Sequence, residues 1–557
     1  MKEELTAQVL IVGGGPVGLT LAMDLAQRGI DVLLAETRER GEPPSVKCNH
    51  TSARSMEVFR RLGVAEALRN AGLPADYPND VAYRTTFTGT ELSRIPIPAR
   101  DVRYSATGGP DTWWPTPEPP HRINQIFLEP VLFEHALAQP NLRILNRTRI
   151  DEFVQDEQGV TAQAVDLESD RRFTVRSQYM IGCDGGKSAV RKAIGAKLSG
   201  TAVVGRVQST YFRAPDLYQR TGNQRAWATF SINPRRSGNV YAIDGRETFL
   251  LHNYLKSDET DFDSVDRDWA IREILGVGAD FQYEILSKED WVGRRLVADK
   301  FRDRRVFICG DAAHLWIPMA GYGMNAGIAD AMNLSWLLAA RLQGWGTEAI
   351  LSAYEAERLP ITEQVSNFAM KHAIALQAKR EGVPAHLEDD DSCGEATRRE
   401  VGQSLYDLNV KQYCCGGLNF GYFYDQSPII AYDGTPQPGY TMDQFTPSTV
   451  PGCRTPHVWL DDGRSLYDAM GAGYTLLRTD PAVSTAPLEE AAAARGVPLK
   501  VMDVQSTEAR GLYRHALVLS RPDQHVAWRG IRCPEDSLGL IDQLRGARQD
   551  AGAGVGA

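Results

Sequence analysis

The first polar residues give way to Gln8-Val9-Leu10-Ile11-Val12, a run dominated by β-branched apolar residues with no alternation. That pattern predicts a strand buried on both faces in a parallel sheet. Glycines follow at once, and Val17 to Ala22 opens a helical pattern; Ile30 to Ala35 reads as a second buried strand ending at Glu36. A helix is predicted around Ser52 to Leu68 and another over 122–138. Ile144 to Ile150, Gly159 to Val165 and Arg172 to Ile181 alternate like antiparallel strands. From about 200 to 290 short strands recur, among them Val207 to Phe212 and Thr248 to Leu251, predicting a mostly antiparallel sheet with one open face. Arg305 to Cys309 is again a buried strand, and helices are expected over 324–345 and 351–378. Beyond about 380 the chain becomes more polar, with Glu388-Asp389-Asp390-Asp391. Strands Gly473 to Leu477 and Ala516 to Leu519, with helices between, predict a small α/β domain near the end, and the tail Ala551 to Ala557 reads as disordered.

These elements place the chain in the α/β class, as an α+β multidomain protein. A prior of about 150 residues per domain predicts three or four domains. Asp plus Glu number 71 against 61 for Lys plus Arg, a net charge of −10 that argues against nucleic acid as main partner. No apolar run approaches the roughly 18 residues of a membrane span, and the polar start leaves no room for a signal peptide. The eight cysteines show neither CxxC nor zinc-ligand spacing, so reduced thiols in a cytoplasmic protein and no metal are expected. Cys414-Cys415 is read as structural.

Candidate chemistry rests on three separated segments: Gly13-Gly14-Gly15-Pro16-Val17-Gly18, Gly182-Cys183-Asp184-Gly185 and Gly310-Asp311-Ala312-Ala313-His314. In the first, Gly13 permits a tight turn, Gly15 lets a pyrophosphate approach the backbone, and Gly18 lets the helix pack on the strand. The helix start offers free N–H groups and a positive dipole end to phosphates. Glu36 falls about 20 residues on, where a carboxylate binds a ribose 2′-hydroxyl; its acidity favours FAD or NAD over a 2′-phosphate. No second G-x-G-x-x-G follows a strand, so a separate nicotinamide domain is not expected.

With these residues in hand, the chain resembles the single-component FAD-dependent aromatic hydroxylases, and within them the phenol and polyketide hydroxylase branch with a thioredoxin-like C-terminal domain. Arg122-Ile123-Asn124-Gln125-Ile126-Phe127-Leu128-Glu129 is similar to the family's R-x-x-Q-x-x-L-E helix, Tyr179 to Arg191 to its D-G segment, and Gly310 to Asn333 to its G-D segment and flavin loop. Tyr354 to Pro360 is similar to a further marker. Pro451 to His457 and Gly473 to Leu477 resemble the start of the C-terminal domain. The resemblance implies a Rossmann-like FAD-binding domain in three parts (1–75, 121–199 and 296–380). Residues 76–120 would be an excursion into a substrate-binding domain at 200–295, with a linker and helical segment at 381–430 and a thioredoxin-like domain at 431–557.

It also implies residue roles. Gly13, Gly15, Pro16, Val17, Gly18 and Glu36 would hold the ADP half of FAD. Gln125 would lie near the ribityl and pyrophosphate region, Asp184 would orient the loop near the pyrophosphate, and Gly310 and Asp311 would meet the ribityl chain. Pro318, Gly321, Gly323, Met324 and Asn325 would follow the pyrimidine edge of the flavin, where N–H groups at a helix start stabilise negative charge on the reduced ring. The family's P-x-G-G-Q-G-M-N reads here Pro318-Met319-Ala320-Gly321-Tyr322-Gly323-Met324-Asn325, and a customary Arg is Lys47, a point charge in place of a fork. Leu315-Trp316-Ile317-Pro318 superficially resembles flavin halogenases, but His314 stands where their first tryptophan would be.

The implied reaction is reduction of FAD by transiently bound NAD(P)H, with NADPH a family expectation, then addition of O₂ at flavin C4a and attack on the resulting hydroperoxide by a small phenolic ring. Candidate helpers are His50, Asn49, His121 and Tyr322; Tyr211, Trp227, Phe230 and Tyr241 are candidate pocket walls, with core packing the competing role. A polycyclic polyketide substrate of the same enzyme class, or a dehydrogenase or reductase that uses FAD without oxygenation, remains open. The C-terminal unit, lacking CxxC, is expected to serve packing or the contacts of a homodimer.

Overall fold

The structure is a computed structural model that describes residues 4–547 apart from 48, 223 and 318–320. The expectations for Pro318 and for the 551–557 tail therefore lie outside the described residues.

Strand Glu4–Val12 sits inside an eight-stranded sheet, parallel to Val32–Ala35 on one side and to Arg172–Gly182 on the other. Val9, Leu10 and Ile11 are fully buried, as a strand covered on both faces requires. The sheet extends in parallel through Leu142–Leu145 at one edge and Val306–Ile308 at the other. A hairpin, Thr148–Gln155 with Val160–Asp166, joins Arg172–Gly182 in antiparallel fashion. The single antiparallel strand expected over Ile144 to Ile150 is thus two strands. Arg147 takes φ 52 between them, a left-handed conformation that a continuous strand does not contain. The helix expected over Ser52 to Leu68 likewise breaks at Gly63, φ 81, into Ala53–Arg61 and Ala65–Arg69.

The second sheet has nine strands. Its spine is Leu198–Arg213, one strand of 16 residues rather than several short ones. Trp291–Ala298, Glu284–Lys288 and Thr248–Tyr254 pair with this spine antiparallel; Gly238–Ala242 and Ala228–Ser231 extend the sheet. Its far edge, Val81–Arg84 and Glu91–Ile95, comes from the early part of the chain. Side chains alternate across it. Val240, Phe249, Leu251 and Phe212 pack on Ile271 and Ile274 of helix Arg267–Leu275. Asn239, Tyr241, His252 and Tyr254 turn to the opposite face. That face is not open, as the sequence pattern suggested: Arg380, near the end of helix Ser352–Glu381, stands 3.6 Å over the ring of Tyr254, and Tyr413, ending helix Ser392–Tyr413, meets Trp227 edge-on.

The C-terminal sheet runs Leu499–Asp503, Tyr474–Arg478, Leu517–Ser520, Val526–Gly530, the first pair parallel and the others antiparallel, with helices Ala486–Ala494 and Ser537–Leu544. This is a thioredoxin-like topology. It is tied to the rest by buried charge: Arg521, 0% exposed, donates to both carboxylate oxygens of Glu357 at 2.5 and 2.8 Å, and Arg454 pairs with buried Glu57. Among the described residues no helix is long and apolar enough to cross a membrane.

Removing one partner of a buried ion pair leaves the other charge desolvated, which costs about 3–5 kcal/mol. Arg521→Ala, which leaves the buried carboxylates of Glu357 and Asp523 without their cation, is therefore expected to lower stability by that order in urea unfolding followed by tryptophan fluorescence. A change within about 0.5 kcal/mol, the range of an ordinary surface substitution, would show that Arg521 is not held as described.

Candidate functional site

The three glycine-bearing segments converge. Gly13 takes φ 109, and a Cβ there would lie 2.4 Å from the carbonyl oxygen of Cys183, so only glycine brings the first turn against the second segment. A Cβ at Gly18 would lie 2.0 Å from the Gly13 carbonyl oxygen, which fixes the helix on its turn. Val17 fills the space beside Gly310 and Gly327, joining the first segment to the third. At Gly15, by contrast, a Cβ would meet nothing within 4 Å. Helix Pro16–Gln27 starts there without a side-chain cap, so its first N–H groups face open space, the arrangement that receives phosphates.

Glu36 is buried beside this turn. It accepts from Gly14 N at 2.7 Å and from Arg38 N at 2.9 Å. Burial pushes its carboxyl up, but the Arg38 side chain and these N–H groups outweigh that and hold it below the usual value. Arg38 also pairs with Glu129 at 2.5 Å, and Gln125, at the first position of helix Gln125–Leu137, donates to Glu129 at 2.9 Å. Arg38 thus joins Glu36 to the Gln125 helix, a link that sequence reasoning missed.

Asp311 faces the interior space beyond. Its side chain is accessible there, yet enclosure by protein raises its carboxyl, opposed by His314 and Lys47. Among the described residues no donor reaches its oxygens, which leaves an open acceptor. Behind it, Asp330 is fully buried and takes His314 Nε2 at 2.7 Å, Arg358 Nε at 2.8 Å and Gly310 N at 3.3 Å.

Next to Asp311 lies a cavity of about 310 Å³. Asp311, Gly321, Gly323 and Met324 form one side, and the loop with Lys47, Asn49 and His50 forms another; Trp227, Phe230, Tyr241, Tyr254 and Trp291 of the second sheet make an aromatic wall. An elongated dinucleotide fits this order of groups: an uncapped helix start for phosphates, Glu36 for a ribose, Asp311 for a ribityl hydroxyl, and the cavity for a flat ring. The helix start is a glycine-backbone feature, which is why it was visible in the sequence.

Several expected roles need correction. Tyr322 does not reach the cavity; helix Tyr322–Leu342 turns its ring into a packed cluster with Ile361, Val365, Cys415 and Leu418, and burial raises its phenol well above the ordinary value. His121 also lies off the cavity. It sits in a bridge to Thr51, shares a hydrogen bond with the Leu68 carbonyl at 3.0 Å, and is held neutral by burial. Asn325 uses its side chain on backbone, accepting from Ser52 N at 2.9 Å and donating to Gly321 O at 2.6 Å and His50 O at 3.1 Å. Asp184 accepts from Ala189 N at 2.7 Å and Val190 N at 3.1 Å, hydrogen bonds within its own loop. Lys47 reaches Glu289 at 2.5 Å across the cavity mouth. Tyr211 shares the sheet face but is not part of the wall. Trp291, His252 and Tyr254, which do line the cavity, were not singled out from the sequence; their strand alternation was the available signal.

Comparison with known proteins agrees with this geometry. Residues 6–369 match the family model described as FAD binding domain, and residues 448–547 match aromatic-ring hydroxylase, C-terminal. The chain is 31% identical to the FAD-dependent monooxygenase apdD of Emericella nidulans, over 97% of this chain and 90% of that protein. It is also 31% identical to the tetracenomycin B2 monooxygenase-dioxygenase of Streptomyces olivaceus, over 97% and 98%. The solved structure of the rebeccamycin biosynthetic enzyme RebC with reduced flavin superposes with a TM-score of 0.88 at 35% identity, covering 98% of this chain and 100% of that one.

Because a Cβ at Gly15 meets no protein atom, Gly15→Ala is expected to leave the apoprotein's melting temperature unchanged while obstructing the phosphate approach. FAD affinity, read by quenching of flavin fluorescence, should fall about tenfold or more, roughly 1.4 kcal/mol. Unchanged affinity would place the phosphates elsewhere.

Proposed function

The chain belongs to the FAD-dependent aromatic-ring hydroxylases, and on that premise we propose that it inserts one atom of O₂ into a phenolic ring, with NAD(P)H as a transiently bound electron donor. The observation that carries this reading is the single cavity that joins the open acceptor Asp311 and the loop Gly321 to Met324 to the aromatic wall of the second sheet. FAD, when bound, supplies hydride acceptance and oxygen activation. The protein's share is to bind, orient and exclude water.

Glu36 and Asp311 are the acceptors for cofactor hydroxyls, and Gly13, Gly15 and Gly18 shape the phosphate turn. Trp227, Phe230, Tyr241 and Trp291 pack against one side of the substrate ring and keep water from the reacting atoms. His50 and Asn49 are the polar groups nearest the cofactor loop: Gly321 packs so closely on His50 that a Cβ there would lie 2.9 Å from the His50 Cβ. Asn49 Oδ1 accepts from Asn124 at 2.5 Å, which orients its amide. These two are the proposed contacts to a substrate hydroxyl. Among the described residues no cluster of metal-ligating side chains occurs. A polycyclic aromatic substrate is the second reading, supported by the breadth of the aromatic wall and by the relative named for tetracenomycin B2.

The test is NAD(P)H consumption by the FAD-loaded protein across a panel of one-ring and polycyclic phenols, with peroxide and ¹⁸O₂-derived product quantified together. Stimulated consumption with one labelled oxygen in the product is expected. Consumption that persists without oxygen when another electron acceptor is supplied would overturn the hydroxylase reading in favour of a dehydrogenase.

A further inference from the structure

Within the aromatic wall one imidazole has polar atoms that the protein leaves uncommitted. Neighbouring strands of the second sheet set Ser209, His252 and Asn239 directly opposite one another, in one row on the face that lines the cavity. Asn239 is fully engaged. Its Oδ1 accepts from Arg380 at 3.1 Å, and its amide nitrogen donates to the hydroxyl oxygens of Tyr241 at 3.3 Å and Tyr254 at 3.2 Å. His252 is not. Neither of its ring nitrogens has a hydrogen-bond partner among the described residues, and neither is sealed off by protein. The hydroxyl of Ser209 beside it is in the same position.

The surroundings of His252 hold its ring and settle its charge. Trp291, Tyr241 and Tyr254 meet it edge-on, with ring centroids 5.7, 5.5 and 6.3 Å away. Burial, with the Arg380 guanidinium nearby, pushes its pKa down to about 3. Among the described residues no carboxylate pairs with Arg380, nor with Arg122, which donates to His50 Nδ1 on the opposite side of the cavity. The His252 imidazole is therefore neutral, with one donor nitrogen, one acceptor nitrogen and no hydrogen bond to fix the tautomer. So weak a base does not take a proton from a phenol. What it offers is a pair of hydrogen bonds.

Those open nitrogens cost nothing while water reaches them. Once a flat ring displaces the water, a polar group without a partner forfeits its hydrogen bonds. The partner must then come with the ring. A ring held through one hydroxyl alone, at His50 and Asn49 on the loop side, still turns about that point. A second contact on the sheet side removes the rotation and decides which carbon faces the Gly321 loop.

We propose that His252 and Ser209 form a specificity-determining pair that takes a second, un-ionised oxygen substituent of the substrate and so fixes which ring carbon is hydroxylated. The inference rests on the aromatic-hydroxylase reading and adds to it a preference for rings with two oxygen substituents.

The test uses the FAD-loaded enzyme. In its oxidised state, without electron donor, it is titrated with 1-naphthol and with the isomeric dihydroxynaphthalenes that share the 1-hydroxyl. Dissociation constants are read from the flavin absorbance change. At least one isomer is expected to bind about tenfold or more tightly than 1-naphthol. His252→Phe, which keeps a flat ring among the three aromatic neighbours, and Ser209→Ala should each bring that ratio toward one. Turnover of the same isomer under ¹⁸O₂ adds a readout that a packing role would not move. One labelled position is expected from the unaltered enzyme and a mixture of positions from the variants. Should His252→Phe fail to hold FAD, Ser209→Ala, which removes a single oxygen atom, carries the test. No isomer that gains over 1-naphthol, or a gain that survives in every variant that holds FAD, overturns the inference. Labelled product without isomer preference would sink this inference alone. Isomer preference that the variants lose, without labelled product, would sink only the hydroxylase reading.

Discussion

A carboxylate sealed from water must be paired, and Asp330 is paired from three directions. It sits on helix Tyr322–Leu342, whose first turn borders the cavity, and it holds the Gly310 N–H, His314 and Arg358. Burial alone would raise this carboxyl; Arg358 and His314 reverse that and hold it low. One charge therefore sets where Asp311 stands relative to the start of the helix. The preceding residue of helix Ser352–Glu381 extends the system: Glu357 receives Arg521 from the C-terminal sheet and Asn333 from the helix that carries Asp330. The thioredoxin-like unit, without a thiol pair of the CxxC kind, is thereby part of the scaffold behind the cofactor segments.

What was legible in the sequence was the part carried by backbone. Gly13 and Gly18 are required because a Cβ at either would fall 2.4 or 2.0 Å from a carbonyl oxygen, and such requirements leave a local mark, a glycine at a fixed distance from a strand. Glu36 was legible for the same reason, since the end of a second strand puts it beside the turn. The aromatic wall was not. Alternation in Gly238–Ala242 and Thr248–Tyr254 separates two faces but does not say which one meets the cofactor domain. Tyr322 and Asn325 show the converse. Both lie in the right segment, yet a helix's first turn sends one ring into the neighbouring cluster and spends the other side chain on the backbone of Ser52 and Gly321. Nor does any sequence pattern reveal that Arg122 and Arg380 lack counter-ions among the described residues, because that depends on what the folded chain does not bring near them.

The site shows little of what acid–base enzymes display. His252 is kept neutral by burial, the phenols are kept protonated, and His50 is oriented by an arginine that can only donate. Polar groups here orient and stabilise rather than exchange protons. That suits a reaction in which the cofactor carries the bond-making and the protein must hold a flat ring in a dry, aromatic enclosure.

The interleaving of the two sheets has a kinetic side. The parallel sheet needs Glu4–Val12 and Val306–Ile308; the second takes Val81–Arg84 as well as Trp291–Ala298. During synthesis neither can close until more than half the chain has emerged, and until then long strand edges stay unpaired. Topologies dominated by such distant pairings fold slowly and stay open to aggregation while they do. A ligand that touches the Gly13 turn, Asp311 and the Gly321 loop together binds only the finished arrangement, and so shifts the balance toward it by mass action. The supply of flavin while the chain is being made is then a determinant of how much of it survives to work.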